Sequence, residues 1–142
     1  MRIFVGLLSL VVLALVLSAG AAQDKATPPD KEKSPFTGDY TGVFKGRSLN
    51  PNFPDNQKGS FKVTVTSDGK LKAEIRNTTL DFTNEMTGKI NKDGEIESEA
   101  TILKQVYTFR GKVTKTKEGH FQATLKQYLG KDAVVELDMK AK

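Results

Sequence analysis

Residues Ile90 to Ala100 read INKDGEIESEA, and the turn inside them decides the fold. If Ile90 and Ile96 both face a core they pair across Lys92-Asp93-Gly94, a three-residue loop between Asn91 and Glu95. Such a loop is a type I turn followed by one left-handed residue, a conformation glycine adopts without steric cost. The same outline occurs as SDGKLKAEI at Ser67 to Ile75 and as KEGHFQATL at Lys117 to Leu125. Ser67-Asp68-Gly69 would join Val65 to Leu71 in the same way, and the third copy is expected to use a longer loop through Lys117-Glu118-Gly119. The repeat is therefore read as a hairpin unit, not as a binding motif.

Outward from these turns the hydrophobic period is two. Phe61, Val63 and Val65 alternate with Lys62, Thr64 and Thr66, and Leu71, Ala73 and Ile75 alternate with Lys72, Glu74 and Arg76. Phe82–Ile90, Ile96–Ile102, Tyr107–Val113, Phe121–Leu125 and Val135–Met139 continue the pattern, and GDYTGVFKG at Gly38 to Gly46 precedes it. No segment of this part has a helical period. A parallel return needs a crossover of about a dozen residues or more, so strands this close in sequence are antiparallel. The expected fold is all-β, an up-and-down meander of about eight strands closed or nearly closed into a barrel.

The same turns set expectations for the outer face. Lys89 should oppose Glu97, and Lys62 should oppose Glu74. If Leu103 and Val106 close the next hairpin over Lys104-Gln105, Glu99 opposes Arg110, Glu97 opposes Lys112, Ala100 pairs with Phe109 and Ser98 with Gly111. A two-residue turn at Thr78-Thr79 would bring Arg76 to Asp81 and Lys72 to Glu85. Opposite charges across a sheet fix register more than they add stability. The row Glu95, Glu97 and Glu99 is read in this way because its oxygens do not converge as a calcium site requires.

Before the strands comes MRIFVGLLSLVVLALVLSAGAAQ, with one basic residue, Arg2, an apolar run and then Ala19, Gly20, Ala21 and Ala22. This has the form of an export leader (1–22) with small residues at the cleavage site, and the competing reading is an uncleaved anchor. No second apolar run follows, so no membrane span is expected after cleavage. QDKATPPDKEKSP (23–35) is read as a disordered tether, and the barrel domain is expected to occupy 36–142. The chain is thus expected to be exported, periplasmic or extracellular. It has no cysteine, so neither disulfides nor a lipid-carrying cysteine contribute.

Lys and Arg number 22 against 17 Asp and Glu, but the two signs alternate along the same segments. That is a solvated face, without the basic stripe and interleaved aromatics of a nucleic-acid site. With a lone histidine, His120, at a hairpin end and no thiol, no enzyme, metal or cofactor is expected. Asn77-Thr78-Thr79 matches a glycosylation acceptor and also falls where a turn is wanted.

Function is expected inside the barrel or on one loop. The large inward residues are Tyr40, Phe44, Phe61, Phe82, Met86, Tyr107, Phe109 and Phe121; the small ones are Ala73, Gly88, Ser98, Ala100, Gly111 and Ala123. Small residues near mid-strand either leave a cavity or relieve crowding in a solid core. Tyr40, Asn84, Ser98, Tyr107 and Gln127 are the candidate contacts for a small apolar or amphipathic ligand. The long connection RSLNPNFPDNQK (47–58) displays Phe53 beside a proline, either as a cap on the barrel or as a contact for a protein partner.

Gly38-Asp39-Tyr40 at the start of the first strand, followed by an eight-strand up-and-down pattern, resembles the lipocalins and related calycin-type small secreted bacterial barrels, with tyrosine at the family's G-x-W tryptophan. The resemblance implies a carrier of an apolar ligand, or an inhibitor that acts through its loops.

Overall fold

The computed structural model describes residues 32–141; the expected leader and residues 23–31 of the expected tether lie outside them. The strands are β1 (Gly38–Ser48), β2 (Gln57–Val65), β3 (Lys70–Asn77), β4 (Phe82–Ile90), β5 (Glu95–Ile102), β6 (Gln105–Lys115), β7 (Phe121–Leu129) and β8 (Asp132–Ala141). Each pairs antiparallel with the next, and β8 returns to β1 to close the barrel. Among the described residues no helix is long and apolar enough to cross a membrane. The sequence period carries directly into burial. In β3, Leu71, Ala73, Ile75 and Asn77 are buried, while Lys70, Lys72, Glu74 and Arg76 are exposed. Lysines, glutamates and threonines cover the outside and apolar side chains fill the inside, the reverse of a barrel that faces lipid.

The three repeated turns share one geometry. Gly69 N–H bonds Thr66 O, Gly94 N–H bonds Asn91 O, and Gly119 N–H bonds Thr116 O, with the glycines at φ +80°, +83° and +83°. The third loop is thus as short as the other two, because Lys115 pairs with Phe121 as Ile90 pairs with Ile96. The turns also interlock: Ile90 N–H donates to Gly69 O and Val113 N–H to Gly94 O. A Cβ on Gly94 would lie 2.3 Å from Val113 O, so close approach as well as φ requires glycine there.

Residues 32–37 cross this end of the barrel and seal it. Ser34 N–H donates to Ser67 O, the Lys115 ammonium to Pro35 O, and the Lys92 ammonium to Glu32. Phe36 is buried in the core beneath. Tyr40 donates its hydroxyl to Phe36 O at 2.9 Å and lays its ring on Phe121, whose centroid is 4.8 Å away. The phenol therefore fastens the segment to the barrel floor.

Two hairpins differ in register from expectation. The β5–β6 turn is Leu103-Lys104, closed by Ile102 opposite Gln105. Glu97 therefore opposes Arg110, Glu95 opposes Lys112 and Glu99 opposes Thr108; Ser98 faces Phe109 rather than Gly111, and Ala100 faces Tyr107. Lys89 does oppose Glu97, and Lys62 opposes Glu74. The β3–β4 turn holds four residues, Thr78 to Asp81, so Arg76 opposes Thr83 and Glu85 opposes Glu74. Lys72 reaches Glu85 only on the diagonal, at 3.6 Å. Both differences are slips of two residues, which leave every side chain on the same face and are invisible to a period-two pattern.

Of the two readings of the small mid-strand residues, the glycines Gly88 and Gly111 follow the one in which they relieve crowding. A Cβ on Gly111 would stand 2.0 Å from Thr124 O, and one on Gly88 2.3 Å from Glu97 O. These positions are tight corners where neighbouring backbones close on each other, not walls of an open space.

Candidate ligand-binding cavity

The end opposite the glycine turns carries the connections 49–56, 78–81 and 103–104. Here the interior holds a cavity of about 520 Å³. Phe44, Ile75, Phe82, Ile102, Phe109, Val135 and Leu137 form its apolar walls, and Leu80 and Leu103 stand at its rim. Its volume lies within the roughly 300–1,000 Å³ of small-molecule sites.

Four of the six residues singled out from the sequence meet here: Asn84, Tyr107, Gln127 and Phe53. Phe53 sits on the long β1–β2 connection, which Phe53 N–H to Asn50 O and Ser48 N–H to Asp55 Oδ1 hold folded. Its ring meets the Tyr107 ring edge-on, with centroids 6.4 Å apart, and so lies over the mouth. The Asp55 carboxyl is held below its usual range by the backbone N–H groups of Ser48 and Asn56, aided by the Arg47 charge. Tyr107 donates its hydroxyl to Gln105 Oε1.

The other two lie elsewhere. Tyr40 belongs to the sealed end, as described. Ser98 is fully buried between Gly88 and Phe109, its Oγ without a hydrogen-bond partner, and does not line the cavity. His120 is exposed beside the third glycine turn, at the sealed end.

Sequence reasoning missed the polar pair Gln57 and Asn77. Both are buried in the cavity wall, and Asn77 Nδ2 donates to Gln57 Oε1 at 2.8 Å. Gln57 Nε2 in turn donates to Pro54 O, tying the Phe53 loop to the wall. Asn77 Oδ1 accepts from the Thr79 and Leu80 N–H groups and so shapes the four-residue turn. Extending the alternation Leu71, Ala73, Ile75 by one step would have placed Asn77 inside.

Asn84 differs from this satisfied pair. It lines the cavity, yet its Nδ2 is buried and has no partner. Ile75, directly opposite on β3, offers its side chain no acceptor. On the other side β5 is cross-paired with β4 only from Thr87–Glu99 to Ile90–Ile96, so the ladder ends before it reaches Asn84. Among the described residues the only charged side chain in the lining is Asp81, exposed at the rim.

A second depression, of about 680 Å³, lies on the outer wall among Lys45, Lys112, Thr114, Gln122, Asp138 and Lys140. These are solvated outward groups of both signs, so larger volume there does not make a better site. No family model, curated protein or solved structure matches the chain.

Proposed function

We propose that the protein is an exported, lipocalin-like carrier, periplasmic or extracellular, that holds a small apolar or amphipathic ligand without catalysing a reaction. The observation that carries this reading is the cavity itself, an apolar space at one end of a barrel whose other end is packed shut. Apart from the Asp81 carboxylate, exposed at the rim, its polar groups are amides and a phenol, which orient a ligand but supply neither a nucleophile nor a base at neutral pH. The turning of Phe53 onto Tyr107 supports the 47–58 loop as a cap over the ligand more than as a contact for a protein partner. Native mass spectrometry of the exported protein, together with titration by the neutral dye N-phenylnaphthylamine, tests the reading. A co-purified small molecule and saturable one-to-one dye binding are expected. A bare mass with no dye uptake would remove it, leaving partner binding by the loop as the reading to pursue.

A further inference from the structure

Resting on the carrier reading, we infer that the ligand is an uncharged, mainly apolar molecule bearing a carbonyl, and that the Asn84 side-chain amide binds that carbonyl. The cavity lining contains four buried or half-buried amide side chains, Gln57, Asn77, Asn84 and Gln127. The first two satisfy each other and the neighbouring backbone, so they build the wall. Asn84 Nδ2 alone among them is shut away from water with no acceptor. A sealed N–H without a partner is destabilising, and native interiors rarely keep one without a use.

The acceptor it lacks fits the space it borders. Rotation about the terminal torsion of an asparagine is soft, so the amide turns its donor into the cavity at small cost. The walls around that point are Ile75, Phe82 and Ile102, which match an apolar body on either side of a single polar group. The absence of Lys, Arg and His from the lining sets the charge of that group. A carboxylate would be buried without a counter-ion and within reach of Asp81 at the rim, which disfavours a free fatty acid. An ester, ketone or amide carbonyl accepts the Asn84 donor without carrying charge. A pure hydrocarbon would fill the space but leave Nδ2 unpaired.

Three compounds with a common chain separate these cases: methyl octanoate, octanoate and octane, each displacing N-phenylnaphthylamine from the leaderless protein at neutral pH. The ester should bind at least about tenfold more tightly than octanoate, as the penalty for a buried unpaired charge requires. Asn84→Leu should weaken the ester about tenfold, the order expected for loss of one buried hydrogen bond, while sparing octane. In the wild-type protein the ester should also shift the Asn84 side-chain amide resonances, a readout that needs no variant. Octanoate binding as well as the ester overturns the inference. So does ester affinity unchanged by Asn84→Leu, or an unmoved Asn84 amide. Dye binding with no preference for the ester removes this inference alone; no dye binding by the wild type removes the carrier reading and this inference together.

Discussion

Asn77 Nδ2 donates to Gln57 Oε1 across 2.8 Å inside the barrel wall, while the other end of the same amide, Oδ1, caps the β3–β4 turn. One side chain therefore joins the start of β2, the end of β3 and the turn that follows. Replacing Asn77 with leucine strips the Thr79 and Leu80 N–H groups of their acceptor and leaves Gln57 Oε1 unpaired in an apolar wall. The expected cost is about 2–4 kcal/mol, summing one capping interaction and one buried hydrogen bond. Urea denaturation of Asn77→Leu, Gln57→Leu and the double variant should show strongly non-additive losses; simple additivity would mean that the pair is not coupled.

Hollow and packed parts of the interior respond oppositely to added volume. Gly111→Ala puts a methyl 2.0 Å from Thr124 O, and backbone cannot yield there cheaply. It should destabilise by about 3 kcal/mol or more, as expected when strain falls on the main chain. Ile102→Trp instead sends a ring into the cavity. It should change stability by less than about 1.5 kcal/mol while weakening N-phenylnaphthylamine binding at least about tenfold. Thermal melts with dye titration of both variants check the contrast, and loss of stability in the tryptophan variant would show that the space is not open.

Acid should loosen the cap. Asp55 has a folded pKa below the usual aspartate value of about 3.9 because its carboxylate accepts from Ser48 N–H and Asn56 N–H. Its contribution is present above the unfolded value and is lost as pH falls through the lower, folded one. Below roughly pH 4 the 49–56 loop should therefore become mobile and release of bound dye should speed up. Asp55→Asn keeps an acceptor toward Ser48 N–H without a titrating charge, so this step should vanish in it. An unchanged acid step in that variant would assign the effect to another group.

The barrel wall should open most readily between β4 and β5. Cross-pairing there ends at Thr87–Glu99, while β4 runs on to Phe82 and β5 to Ile102. Residues 82–86 stay paired with β3 and residues 100–102 with β6. Amide hydrogen exchange should therefore be faster, by at least about tenfold, only at those of their N–H groups that point into the β4–β5 seam, compared with 87–90 and 96–98. Equal protection along the seam would contradict the splayed wall. Added ligand should slow exchange there if it binds against Asn84.

Much of the charge pairing was open to sequence reasoning, and its failures are instructive. Lys89–Glu97 and Lys62–Glu74 follow from turns whose glycine position dictates the loop length. Glu97–Arg110, a contact of 3.0 Å between exposed side chains, was expected one pair away. Nothing local distinguishes Leu103-Lys104 from Lys104-Gln105 as the turn. Leu103 and Lys104 both adopt positive φ, at 51° and 67°, without the glycine or asparagine that usually announces such a turn. Leu103 is 91% exposed, so its own burial did not choose the register.

The local chain determined the strand number, the antiparallel order and the places of the three sealed-end turns, though not the length of the third, because period-two burial and a glycine at positive φ are properties of a few adjacent residues. It also singled out Asn84, Tyr107, Gln127 and Phe53, since inward polar residues and an aromatic on a long loop are visible one at a time. Only the tertiary structure decided which interior positions border empty space. In the sequence Gly88 and Gly111 fit room for a ligand and relief of crowding equally well, and barrel closure, which presses the next strand's carbonyl oxygens against them, selects the second. Asn77 looks like a surface turn residue, yet Gln57, 20 residues before it, draws it into the wall. A hollow is made by several strands failing to meet, and no single strand records that.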